Sequence, residues 1–379
     1  MFKNLAACGL AAQRAACFSL LAALCFPVAA WSQTAGAASS AATAPLKIGF
    51  IHVAPITDAG WVHQHELGRK AVEAALGDRV RTTAVENVAE GADAERVIRD
   101  LASSGHKLIF TPSFGYMEPT LKVAKDFPDV KFESITGYKT APNVAAANAR
   151  YYEGRYLAGV AAARASKTGQ AGYVAGFPIP EVLQGINAFA LGMRSVNPKA
   201  QVRLIWLNSW FDPPREREAA ITLFNQGADV ITFHSASQAV MAAAQERGKL
   251  AIAYHSDMRK TAPDAQLLAV THNWGSYYTE RARAVLDGSW KSGHVWGGVA
   301  QGMVRVEGFG PKAGKALQDE VLARQADIAA GWLHPFAAGK QAVLDNQGKT
   351  VIAAGKTLDD GQIQSMNWLV QGVLGSVPK

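Results

Sequence analysis

Thr57-Asp58-Ala59-Gly60-Trp61-Val62-His63-Gln64-His65 places a carboxylate, an indole and two imidazoles within eight residues. Such a set can stack on a flat ring and exchange hydrogen bonds with its polar edge. Asp58, Trp61 and His63 are therefore candidate ligand contacts, with a neutral imidazole at His63 or His65 as a hydrogen-bond partner whose affinity would follow pH. The same two histidines make a poor metal site. They are two residues apart, so a helix points them in different directions, and His-Gln-His-Glu is not the His-Glu-x-x-His zinc motif. No metal and no cofactor is expected.

The segment before this turn, LKIGFIHV, is almost continuously apolar, as suits a parallel strand covered on both faces. A helix follows, with Leu67, Ala71, Ala74 and Ala75 at helical spacing, Thr57 or Asp58 available as its cap and Gly77 able to end it. The candidate residues thus lie at the carboxyl end of a strand, where open α/β sheets bind ligands. Other predicted strand ends supply further candidates. Phe114, Gly115 and Tyr116 follow KLIFTPS, Gly176, Phe177 and Pro178 follow QAGYVA, and His234 and Ser235 end ADVITFH. Loops at strand ends also serve packing and turns, so position alone leaves both roles open.

Strands and amphipathic helices alternate from residue 45 to about 167, with Asp93 read as a helix cap and YYEGRYLAGVAAARA as the last helix. The alternation then restarts at QAGYVAGF and runs to KLAIAYH. This predicts an α/β protein of two doubly wound lobes in tandem. Walker A, Gly-x-Ser-x-Gly and a Gly-x-Gly-x-x-Gly after the first strand are all missing, which disfavours an enzyme.

Residues 1–32 read as a signal peptide: Lys3 and Arg14 precede the apolar run AACFSLLAALCFPVAAW, with cleavage before Gln33 or after Ala30. Residues 33–45 form a flexible lead-in. Cys8, Cys17 and Cys25 all fall in the leader, so the mature chain of about 347 residues has to find its stability in its cores. The net charge of +7 becomes +5 without Lys3 and Arg14 and is dispersed, with no basic run or zinc-finger spacing. Nucleic acid is not an expected partner, and no membrane insertion is expected once the signal is removed.

GYVAGFPIPEVLQGINAFALGMRSVNP, NSWFDPPREREAAITLFNQGADVI, AQERGKLAIAYHSDM and YYEGRYLAGVAA together resemble the BMP (basic membrane protein) family of ABC-transporter substrate-binding proteins over most of residues 46–310. The resemblance implies a type I periplasmic-binding-protein fold. Residues 46–167 with about 269–303 would form one lobe, and 168–268 with about 304–379 the other. It also implies a small-molecule ligand in the interlobe cleft, permease subunits as partners, a periplasmic monomer and no catalysis. Characterised members bind purine nucleosides or related compounds.

By the same resemblance Trp61 stands where the family has Phe, Trp210 replaces a ring that stacks on the base, and Asp257 in His255-Ser256-Asp257 takes the place of a ligand-binding carboxylate. Two indole faces hold a planar heteroaromatic ring well, at roughly 1–3 kcal/mol per base stacked. Asp58 and Asp257 would then read the ring's edge from opposite lobes. The alternative is that the tryptophans are core residues and the aspartates caps. Where relatives have Lys-Asn, this chain has His272-Asn273-Trp274. Loss of that lysine favours a free purine base, such as adenine, over a nucleoside, with His272 and Trp274 filling sugar space; alternatively Trp274 packs on its own lobe. A purine-converting enzyme and a binder of other flat ligands are the rival readings.

Overall fold

The computed structural model describes residues 44–378. The expected signal peptide and nearly all of the lead-in, with the three cysteines, lie outside the described residues. The first half of the chain forms β1 (Leu46–Ile51), α1 (Trp61–Leu76), β2 (Val80–Val85), α2 (Ala92–Ser103), β3 (Leu108–Pro112), α3 (Met117–Ala124), β4 (Lys131–Ile135), β5 (Val144–Ala149) and α4 (Tyr151–Ala165). The alternation continues through β6 (Gln170–Ala175), α5 (Pro180–Val196), β7 (Gln201–Trp206), α6 (Pro213–Asn225), β8 (Val230–His234), α7 (Ala239–Glu246), β9 (Leu250–His255), β10 (Gln266–His272), α8 (Gly275–Leu286), β11 (His294–Gly297) and β12 (Val304–Glu307). The chain ends with α9 (Lys315–Ala329), β13 (Val343–Leu344), β14 (Thr350–Ile352), α10 (Asp360–Gln364) and β15 (Val373–Leu374).

Two large sheets result, ordered β11-β5-β4-β3-β1-β2 and β12-β10-β9-β8-β6-β7-β15, beside a small β13-β14 ribbon. Each contains the same doubly wound core: β1 lies between β2 and β3, as β6 lies between β7 and β8. The strand order therefore reverses next to β1 and β6, which opens a crevice at their carboxyl ends. β1 and β6 are buried almost throughout, which explains their unbroken apolar sequences. Among the described residues no helix is long and apolar enough to cross a membrane.

The chain passes between the sheets after β5, after β10 and after β11. The first two passages correct the expected boundaries. Helix α4 packs on the second sheet, where the buried Arg155 donates to Thr232 Oγ1 (2.9 Å) and the Phe233 carbonyl (2.5 Å) and lies over the Tyr254 ring. The first lobe thus ends near residue 149 rather than 167. β10 pairs with β9 in the second sheet, so the return falls after His272 rather than near 269. α8 then rejoins the first lobe, packing Tyr278 and Trp274 over Gly68 of α1.

Two caps also differ from expectation. Gly60 (φ +94°) is the N-cap of α1, and among the described residues no side chain, Thr57 and Asp58 included, caps the helix. Asp93 sits inside the first turn of α2, where its carboxylate accepts from the Ala89 N–H.

Candidate functional site

A cavity of about 430 Å3 opens where the carboxyl ends of the two sheets face each other. The first lobe lines it from the ends of β1, β3 and β4, with Trp61, Ser113, Phe114 and Thr136. The second lobe lines it from the ends of β6, β7, β8 and β9, with Glu181, Trp210, His234 and His255.

Trp61 begins α1, and its indole N–H donates to the Pro112 carbonyl at the end of β3 (2.9 Å), which fixes the ring within its own lobe. The chain reaches this helix through Gly60, whose positive φ a side chain would strain. A Cβ there would also lie 2.2 Å from the Ala236 carbonyl oxygen of the other lobe. The Gly60 N–H instead donates to Ser256 Oγ (3.0 Å), joined by Gln64 Nε2 (3.1 Å). These contacts bring the lobes together beside the cavity.

Trp210 reaches in from the loop after β7, over Gly176 and edge-on to Phe177 at 4.9 Å between centroids. Its N–H donates across the cleft to Glu90 Oε1 (3.3 Å), a carboxylate that also accepts from Ser113 Oγ and the Gly115 N–H. A second bridge joins Asn148 Nδ2 of β5 to Glu181 Oε2 (2.9 Å).

The polar groups facing the cavity are unevenly committed. Ser113 is held by Glu90, Thr136 Oγ1 donates to the Ile135 carbonyl, and Ser235 donates to the buried Glu216. Glu181, His234 and His255 retain capacity for a ligand. Glu181 Oε1 lies 3.6 Å from His234 Nε2, and His234 Nδ1 is buried without a partner among the described residues. Burial holds His234 below the usual imidazole range, against the opposing pull of Glu181. Burial, with the charges of His272 and His234, keeps His255 well below it. Both rings are neutral at pH 7.

Of the residues expected from sequence, Trp61, Phe114, Trp210, His234 and Ser235 line the cavity, and Phe177 supports Trp210. The others are placed elsewhere. Asp58 is exposed outside it. His63 Nδ1 pairs with the Thr57 carbonyl (2.8 Å), bracing the turn. Tyr116 is buried, its hydroxyl donating to the Val88 carbonyl (2.5 Å). Asp257 is paired with Arg259 and accepts from Gln266, which leaves it facing away. His272 and Trp274 lie behind His255 rather than in the cavity: the Trp274 N–H donates to His272 Nδ1 (2.7 Å), and His272 Nε2 meets His255 Nδ1 (3.0 Å).

Glu181 and His255 were not picked from sequence. Glu181 follows β6 by a short loop, so the strand-end rule that selected Phe177 reaches it too. His255 ends β9 itself, at the same kind of strand end that marks His234.

The model for the Bmp family, described as ABC transporter substrate-binding protein PnrA-like, matches residues 46–330. A purine-binding protein of Brucella abortus is 52% identical over 336 residues, 88% of this chain and 94% of the relative. A Haloferax volcanii protein, provisionally described as the ABC transporter glucose-binding protein TsgA13, is 36% identical over 87% of this chain and 80% of its own length. A solved ABC-transporter solute-binding protein from Aeropyrum pernix superimposes with a TM-score of 0.65 at 20% identity, covering 76% of this chain and 93% of that one, which places the fold among the type I solute-binding proteins. With the family model spanning the first sheet, all of the second but its edge strand β15, and all three crossings between them, the chain belongs to the Bmp family of ABC-transporter substrate-binding proteins, which bind their substrates without transforming them.

Proposed function

We propose that the protein is exported and captures a purine as the free base, adenine or a close relative, between its lobes for delivery to an ABC importer. The observation that carries this reading is the lining of one small cavity by two indoles from opposite lobes, with only Glu181, His234 and His255 left to bond a ligand. A flat ring with a few polar atoms at its edge matches that supply. A sugar does not, because nearly every carbon carries a hydroxyl that must find a partner when buried. The name of the half-identical relative from Brucella supports a purine; that of the Haloferax relative points to a sugar instead.

One observation favours a nucleoside as the second reading. A further hollow of about 440 Å3 shares Phe114, Thr136 and Glu181 with the cavity and continues past Asn148, Gln184 and His294, polar side chains that suit a ribose. Calorimetry with bases, nucleosides, glucose and aromatic acids decides. Purine bases are expected to bind more tightly than their nucleosides, and tighter binding of a nucleoside or of glucose overturns the assignment.

A further inference from the structure

Three aromatic side chains run in file from the first-lobe side of the domain crossing to the cavity. The Trp274 indole N–H points at His272 Nδ1 (2.7 Å), and His272 Nε2 points at His255 Nδ1 (3.0 Å). All three rings are almost fully buried. His255 Nε2 bonds to no group among the described residues and is the atom left to the cavity.

An indole nitrogen donates and never accepts, so the first bond in the file has one polarity. It requires His272 Nδ1 to be bare. A neutral imidazole carries one proton, which must then reside on His272 Nε2 and be donated to His255 Nδ1. The same rule strips His255 Nδ1 and puts its proton on Nε2. Burial favours the neutral form at both rings, lowering His272 to about 3 and His255 well below the usual range. The backbone assists, since His255 is held at φ +71° at the end of β9.

We infer that Trp274 and His272 lock His255 as a fixed Nε2–H donor, so that the site selects ligands presenting an unprotonated ring nitrogen or carbonyl oxygen at that point. Trp274 and His272 are positioning residues, and His255 is the specificity determinant. Glu181 supplies the opposite polarity, because its Oε2 already accepts from Asn148 and a carboxylate has no proton to give. The site therefore asks for an acceptor at one place and an N–H or amino group at another. Applied to the purine proposed above, on which this step rests, the acceptor is a ring nitrogen or carbonyl and the donor an N–H or exocyclic amine.

The tautomer is read directly by nitrogen-15 NMR of the histidine-labelled protein without ligand at pH 7, with signals assigned through His255→Gln and His272→Gln. Both rings are expected as Nε2–H tautomers, and an Nδ1–H or cationic His255 overturns the lock. Calorimetry then compares adenine with its deaza analogues, each exchanging one ring nitrogen for C–H. At one position the exchange is expected to weaken binding roughly tenfold or more, because a buried donor loses its acceptor. In His255→Phe the same exchange is expected to change affinity by no more than roughly twofold. Trp274→Phe keeps the buried ring and removes its N–H, so His255 should become a tautomer mixture and the deaza effect should shrink. If purines bind but no deaza analogue is discriminated, the inference fails and the purine reading stands. If no purine binds, that reading fails, and the NMR result still decides the lock.

Discussion

Thr136 and His255 occupy equivalent places in the two lobes. Each follows the body of the fourth strand of its doubly wound core, each lines the cavity, and each has a positive φ, +68° and +71°. Asn87 and Asn208, the other two non-glycine residues of this kind among the described residues, repeat the match after the second strands. The lobes thus share even their backbone exceptions. The side chains differ in what they offer. Thr136 spends its hydroxyl on the Ile135 carbonyl, while His255 is backed by two bonded rings and keeps a nitrogen for the cavity. The first lobe contributes faces, Trp61 and Phe114; the second contributes Glu181, His234 and His255 along with the face of Trp210. One scaffold has been specialised into a supporting jaw and a reading jaw.

The largest expected effect breaks the supporting jaw. Trp61→Ala removes a buried ring and should lower stability by about 3–5 kcal/mol in urea unfolding. It should also weaken every flat ligand alike, leaving their order unchanged in calorimetry. Glu181→Gln attacks the reading jaw and should reduce affinity by about 1.5–3 kcal/mol for ligands with an amine or N–H there, while those lacking one are spared. An equal loss across the panel would remove the distinction between the jaws.

Acid separates the lobes more gently. Burial lowers His52 to about 4 and His272 to about 3, and lowers His65, His234 and His255 as well. For His52 and His272 the unfolded chain binds the extra proton between those values and the ordinary 6.5, so stability should fall as pH falls, by up to about 1.4 kcal/mol per unit for each of the two rings. Glu133, Glu153 and Glu216, raised by burial, act with the opposite sign. His52 belongs to the first lobe, and both its ring nitrogens lack partners among the described residues. His52→Leu should therefore raise thermal stability at pH 5 more than at pH 7, without altering ligand binding.

The smallest effect concerns Thr136. A β-branched residue at positive φ is strained by about 1–3 kcal/mol, and glycine relieves that while adding unfolded-state entropy. Thr136→Gly should shift stability by no more than about 1 kcal/mol and leave the ligand order intact. A changed order would make the first lobe a reader too.

The two-lobed α/β design was legible because β1 and β6 are apolar runs followed closely by amphipathic helices. β5 was not. Val144–Ala149 is VAAANA, poor in the branched and aromatic residues that mark strands, and its state is imposed by pairing with β4 and β11. The aromatic half of the cavity could be read from strand ends and from the family resemblance. The acidic half could not, because a carboxylate's role depends on who else claims it. Asp257 is claimed by Arg259 and Gln266, whereas Glu181 retains an oxygen beyond its bond to Asn148. Tyr116 fails for the same reason, its hydroxyl spent on the Val88 carbonyl.

The bond from the Trp210 N–H to Glu90 has an optical consequence. Its donor and acceptor belong to different lobes, so parting the lobes exposes the indole nitrogen to water, whereas the Trp61 bond to Pro112 lies within one lobe and survives the motion. In single-tryptophan variants, emission from Trp210 should therefore follow lobe closure and that from Trp61 the arrival of cargo. The cleft carries its own pair of fluorophores, one for each event.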